Sequence, residues 1–300
     1  MMPLHTSQTV NTYNTKNQNI SASTNDFESF SRNIKRITNV PTGVIYSPFN
    51  NQDMVAQALG INTARVLNGK EPFPIICCPL KRDALKNAIK EFKEKELQGR
   101  LKEGRIYEKK LTSSIKQSGI KAVHSTFPVE TKILGEYQTI NRLSLVEPKN
   151  LPDRTLENIY VIGHGAAGLP RLYQTTQSED GCRPISDVIK EITQLVGKKV
   201  KPDVKIKLTS CESADRETLQ SFDQIGDISE SKRGTEPLAK TAKTEANKHL
   251  PQSRVFGYHG LGVTRGSGYI SQARCLESDF DKTVGKSHNW KKASTVREEF

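Results

Sequence analysis

The run FPIICCPL at residues 73–80 is continuously apolar, too short for a helix of its own and without polar alternation. That is the pattern of a strand buried on both faces, which belongs in a parallel sheet sandwiched by helices. The neighbouring segments fit the same scheme. TGVIYSPF (42–49) reads as a strand. NQDMVAQALGINTARVL (51–67) reads as a helix entered through Asn51 or Asp53, with Met54, Val55, Ala58 and Leu59 on one side. INRLSLVEP (140–148) reads as a strand before a turn at Pro148 and Pro152, and 158–164 as the next strand. PISDVIKEITQLV (184–196) is a helical pattern with Ser186 as N-cap and Ile189, Ile192 and Val196 on one stripe. DVKIKLTS (203–210), EPLAKTAKTEANKHL (236–250) and RVFGYHG (254–260) continue as strand, helix and strand. The alternation predicts an α/β fold with a largely parallel central sheet flanked by helices.

Two segments stand outside that pattern. Residues 5–25 hold 15 Ser, Thr, Asn or Gln in 21 positions, too little apolar surface to offset the entropy of ordering, so residues 1–38 read as a disordered leader. Its composition resembles the leaders of bacterial type III secreted effectors. From Lys81 to Lys121 there are thirteen Lys or Arg against six acids, with Leu85, Ile89 and Phe92 at helical spacing. This is either a solvated amphipathic helix or hairpin laid on the core, or a basic arm for a partner protein or an anionic membrane surface. The ordered domain is expected over 39–300, with a helical insertion at about 81–130.

The formal net charge of +12 points to a polyanionic partner. Basic and aromatic residues do not interleave as on RNA-binding surfaces, so nucleic acid, DNA included, is disfavoured. GLGVTRGSG (260–268) is glycine-rich but lacks the spacing and terminal Lys-Ser/Thr of a phosphate loop. Five cysteines, two of them adjacent at 77 and 78, suit reduced thiols and neither a disulfide framework nor a metal site. No run reaches the ~18 apolar residues of a membrane span, and no apolar secretory segment follows the N-terminal Met.

The chemistry concentrates where two strands end. IYVIGHG places His164 between Gly163 and Gly165, and KIKLTSC closes on Ser210 and Cys211. Groups just beyond the carboxyl ends of parallel strands form the sites of open α/β sheets. The helix at 184–196 joins the two strands as a crossover, which makes them neighbours. A thiol within reach of an imidazole can act as a thiolate nucleophile. The glycines permit a tight turn and close approach of a substrate carbonyl, with the N–H groups of Gly165 and Cys211 as oxyanion donors.

An apolar block ending in His-Gly, followed by another ending in Ser-Cys, resembles the clan CD, caspase-like cysteine peptidases. With the 47-residue separation, it is most similar to the self-cleaving peptidase domains of multifunctional RTX toxins and large clostridial toxins. GVIYSPFNNQDMVAQALG resembles their first strand and helix, INRLSLVEPKNL the strand and turn before the His strand, RVFGYHGLGVTRGSG the strand after the Cys, and GKSHNWKKAS, with Trp290, their C-terminal β-flap. The resemblance covers about 40–80 and 135–300. It implies a three-layer caspase-like sandwich, a His164–Cys211 dyad, no metal, and a cleft lined by Gly163, Ser210, Tyr258, His259 and Gly260. It further implies activation by inositol hexakisphosphate in the host cytoplasm after secretion by a bacterium, with a host protein as substrate. Candidates for the phosphate site are Lys205, Lys207, Arg254, Arg265, Lys282, Lys286, Lys291, Lys292 and Arg297. The toxin domains excise neighbouring cargo and favour Leu before the scissile bond. Here Leu4 is the only Leu in residues 1–39, so cleavage of another protein is favoured over self-processing.

Two other readings stand beside this one. His259 also follows a strand, so Cys211 and His259 could form a papain-like deamidase or acyltransferase pair with Asn289 as orienter. The run before Cys211, however, reads as a strand and not as the start of a long helix. A non-catalytic basic module binding inositol phosphates or an anionic surface would explain the charge, but not two strands ending on His164 and Cys211.

Overall fold

The computed structural model describes residues 41–176, 181–225, 235–263, 272–281, 286–287 and 289–300. The 1–38 leader, Arg265 and Lys282 lie outside the described residues. The first half of the chain runs through β1 (Gly43–Ser47), α1 (Gln52–Leu67), β2 (Ile75–Cys77), α2 (Arg82–Ser118), α3 (Ile120–Thr126) and α4 (Pro128–Arg142). It continues through β3 (Leu156–Val161), the hairpin β4 (Arg171–Tyr173) and β5 (Cys182–Pro184), α5 (Ile185–Val196), β6 (Val200–Leu208), α6 (Leu238–Ala246) and β7 (Arg254–Tyr258). After these come β8 (Leu261–Val263), β9 (Ala273–Cys275), β10 (Phe280–Asp281), β11 (Lys286–Ser287), β12 (Lys291–Lys292) and β13 (Arg297–Glu299).

The central sheet has the order β13-β7-β6-β3-β1-β2. All its pairings are parallel except that of β13 with β7. The fold is therefore α/β, with a mostly parallel central sheet flanked by helices. Every residue of β1 is buried, the hydrophobic run of a strand covered on both sides. In β6, by contrast, Val204, Ile206 and Leu208 are buried while Lys205 and Lys207 are only half-buried. The apolar side of β6 joins one core cluster with Val188, Ile189, Ile192 and Val196 of α5 and Leu238, Ala239, Ala242 and Ala246 of α6.

The basic segment is helical. Leu85, Ile89 and Phe92, in the first turns of α2, enter the main core. Farther along, Leu111 joins Leu67, Ile120, Val123 and Leu134 in a small core of its own. Two local readings need correction. INRLSLVEP is not a strand: α4 runs to Arg142 because Thr139 and Ile140 complete its buried face. What remains is a single parallel bridge between Leu145 and Ile75. Helix α5 starts at Ile185 behind Pro184, with Ser186 in its first turn and no side-chain cap. Asn51, in contrast, does cap α1, its side chain accepting from the Met54 N–H at 3.2 Å. Beyond β7 lie a three-stranded sheet β12-β9-β8 and the ribbon β10–β11, of which β11 and β12 fall within 285–294, the segment expected as the flap.

Candidate active site

The ends of β3 and β6 are tied together at the site. Both the N–H and the hydroxyl of Thr209 donate to the carbonyl of Val161, at 3.0 and 2.9 Å. His164 lies three residues past β3 and exchanges two main-chain hydrogen bonds with Tyr173 of the β4–β5 hairpin, at 3.0 and 2.9 Å. Cys211 lies three residues past β6. The two loops pack closely: a Cβ on Gly165 would stand 2.9 Å from the carbonyl oxygen of Cys211 and 3.0 Å from the Cβ of Ser210. Gly163 has φ +147°, a conformation that L residues rarely adopt. The glycines on either side of His164 thus serve different ends, Gly163 a backbone angle and Gly165 a close approach.

Helix α1 orients the imidazole. Asp53, in its first turn, bonds Nε2 of His164 through Oδ2. One turn on, Oε1 of Gln57 accepts the Gly163 N–H at 2.9 Å, and its Nε2 lies 3.2 Å from the same histidine nitrogen. A carboxylate can only accept, so Nε2 carries a proton, and in the neutral ring Nδ1 holds the lone pair. That is the tautomer a general base requires. Among the described residues His164 makes no hydrogen bond to Cys211. Replacing Asp53 with Asn removes the preference for this tautomer. Labelling of Cys211 by a peptidyl acyloxymethyl ketone, followed by intact mass, is expected to slow by about 10- to 100-fold.

The thiol is held from the other side. Its Sγ accepts the N–H of Gly262 on β8 at 3.2 Å. Burial pushes the thiol pKa up, against the opposing pull of the Arg274 charge and the Gly262 N–H. Arg274, fully buried on β9, donates to the carbonyls of Ser210 at 3.0 Å and Thr209 at 2.9 Å, so a fixed cation underlies the nucleophile loop. Glu212 adopts φ +50°, a strained angle for a non-glycine residue. Its N–H donates to Gly260 O at 2.9 Å, and its carboxylate, raised in pKa mainly by burial, accepts from Ala167 N–H at 3.2 Å. Neither Gly165 nor Cys211 donates its N–H to a main-chain carbonyl among the described residues, as oxyanion donors require. Among the described residues the buried Ser210 hydroxyl has no hydrogen-bond partner.

Tyr258 and His259, expected to line the cleft, are buried at 4% and 5% exposure. Both ring nitrogens of His259 face carboxylates, Nδ1 at 2.5 Å from Asp215 and Nε2 at 3.3 Å from Glu298. Asn289 donates to Asp279 at 3.3 Å. Among the described residues Cys211 and His259 share no hydrogen bond, and Nδ1 of His259 is taken by Asp215.

The candidate phosphate-binding residues divide by sheet. Register puts Asn158, Lys205 and Arg254 in one row across the main sheet and Tyr160, Lys207 and Phe256 in the next. The Lys207 ammonium donates to Asn158 Oδ1 at 2.8 Å and to the Tyr160 hydroxyl at 3.0 Å, both neutral. Burial, with the charges of Arg297, Lys205 and Arg65, lowers its pKa to about 8. Arg297 stacks on Phe256 at 4.5 Å, and Arg65 lies 3.4 Å over Phe73, whose ring meets Tyr160. Arg254 is paired with Glu299 at 2.6 Å. Lys291 and Lys292 are exposed on β12 of the small sheet, and the side chain of Lys286 is outside the described residues.

Sequence reasoning missed Asp53, Arg65 and Arg274. Asp53 had a signal only as a helix-entry residue, and Arg65 and Arg274 had none, because their partners lie on distant strands. No protein-family model matches this chain, and no curated protein matches it.

Proposed function

We propose that the protein is a caspase-like cysteine endopeptidase, with Cys211 as nucleophile and His164 as general base. The observation that carries this reading is the packed pair of loops at the ends of β3 and β6, where the backbone of Gly165 rests on Ser210 and Cys211 and the imidazole is held in its accepting tautomer by Asp53. In this mechanism Nδ1 of His164 takes the thiol proton as sulfur attacks the substrate carbonyl carbon. The N–H groups of Gly165 and Cys211 stabilise the oxyanion. The C–N bond then breaks as the imidazolium returns the proton to the leaving amine, and water hydrolyses the thioester. The raised thiol pKa makes this base necessary, since at neutral pH the resting sulfur is protonated.

The activator in this reading is inositol hexakisphosphate, bound on the lysine side of the sheet. Four cations, Arg65, Lys205, Lys207 and Arg297, gather there, and Lys207 has only neutral hydrogen-bond partners among the described residues. A half-buried cation without a counter-charge carries part of the cost of desolvation, and a polyphosphate supplies that charge. The setting we infer is a secreted bacterial effector acting on a host protein. The test is intact mass after exposure to a Leu-type peptidyl acyloxymethyl ketone, with and without inositol hexakisphosphate, in wild type, Cys211→Ala and Lys207→Met. One adduct, at Cys211, is expected when the ligand is present. It should be absent in Cys211→Ala and need about 10-fold more ligand in Lys207→Met. A wild-type protein that takes up no adduct with the ligand present would overturn the peptidase reading.

A further inference from the structure

The segment 211–215 is laced to 258–262 by a series of hydrogen bonds. The Glu212 N–H donates to Gly260 O, Ala214 N–H to Tyr258 O at 3.2 Å, and Tyr258 N–H to the Ser213 hydroxyl at 2.9 Å. At one end of this lacing Gly262 N–H meets the sulfur of Cys211. At the other, Asp215 receives Gly260 N–H through Oδ2 at 2.8 Å and His259 Nδ1 through Oδ1 at 2.5 Å. The remaining nitrogen of His259 faces Glu298 of β13 at 3.3 Å, and the His259 N–H donates to Val296 O at 3.0 Å. We propose that His259, clasped between Asp215 and Glu298, is a positioning residue that locks the nucleophile loop against Gly262 and makes strand β13 part of the setting of Cys211. This goes beyond the peptidase reading and does not depend on it.

Charge is what gives the clasp its strength. Asp215 has no solvent exposure and would otherwise rely on Gly260 N–H and the nearby Arg274 of β9. Burial opposes protonation of His259, yet the Asp215 hydrogen bond and the charges of Asp215 and Glu298 outweigh it and raise the pKa from 6.5 to about 9. Because the folded pKa lies above the ordinary one, the clasp contributes fully below about pH 6.5 and is lost as pH rises through about 9. Removing Glu298 lowers the folded pKa, so the loss moves to lower pH.

The experiment is amide hydrogen exchange on the full chain, wild type against Glu298→Gln and Glu298→Ala, over about pH 6 to 10 with rates corrected for intrinsic exchange. The expected result is roughly 10-fold faster exchange of peptides covering 211–215 and 259–262 in both variants, with β1 and β3 unchanged. The pH at which wild-type protection fails should fall by about one unit in Glu298→Gln. Where Glu298→Ala does not fold, Glu298→Gln, which keeps the side-chain volume, carries the test. Unaltered exchange in these peptides together with an unmoved pH midpoint would overturn the proposal. Exchange reports no chemistry, so absence of the ketone adduct in wild type would count against the peptidase reading alone.

Discussion

Replacing His164 with alanine is expected to lower the rate of Cys211 labelling by a peptidyl acyloxymethyl ketone by about 10²- to 10⁴-fold, while the fold survives. The reasoning rests on the state of the sulfur. Burial keeps the thiol above its ordinary pKa in spite of Arg274 and the Gly262 N–H. Without an adjacent base, the attacking thiolate is scarce at neutral pH. The imidazole is 20% exposed and its partner Asp53 is 44% exposed, so truncation leaves no fully buried charge unpaired. The melting temperature of His164→Ala should therefore stay within a few degrees of wild type. Labelling rates at pH 7.5 and pH 9.5 make the test sharper. The deficit should narrow at the higher pH, where a larger fraction of the thiol ionises without the imidazole. A deficit equal at both values would mean that His164 acts in some way other than as a base.

Gly165→Ala should have the second largest effect, by geometry and not by chemistry. Its Cβ would lie 2.9 Å from the carbonyl oxygen of Cys211 and 3.0 Å from Ser210 Cβ, and neither can turn aside as the end of a flexible side chain could. The loops must separate by some tenths of an ångström, moving both the imidazole and the Gly165 N–H relative to the sulfur. Misplacement approaching 1 Å costs on the order of 10²-fold in rate, and overpacking costs about 1–3 kcal/mol of stability. Gly163→Ala provides the contrast. Its Cβ would meet Leu172 at an ordinary 3.4 Å, but the backbone sits at φ +147°. Stability should therefore suffer more than rate. Kinetics of labelling and thermal melts on the two variants separate these outcomes.

The parts of this arrangement that follow from local pattern were legible in the sequence. The continuous apolar runs of β1 and β2, the alternation of β6 and the stripe of α5 each have a period that reports their surroundings. From these the parallel sheet follows, and so does the placement of His164 and Cys211 just past adjacent strands. What escaped depends on contacts between remote segments. Asp53 meets a ring 111 residues away, and before the fold is known nothing distinguishes it from an ordinary helix-entry acid. His259 reads as a site residue because it also follows a strand into a glycine, yet Asp215 and Glu298 enclose it. INRLSLVEP misled because four apolar residues in a short window fit the end of an amphipathic helix as well as a strand.

The arrangement of the sheet margins has a consequence for how the protein behaves in concentrated solution. A bare edge strand invites pairing with another molecule. At one margin β13 lies antiparallel with the sequence Arg-Glu-Glu, all three residues exposed, so an approaching strand would meet charge along its whole length. At the other margin Ile75 of β2 is already engaged by the segment after α4, through Ser144 O at 2.8 Å and Val146 N–H at 2.9 Å. Polymerisation through the margins of the main sheet is thus obstructed at both ends, by charge on one side and by the chain itself on the other.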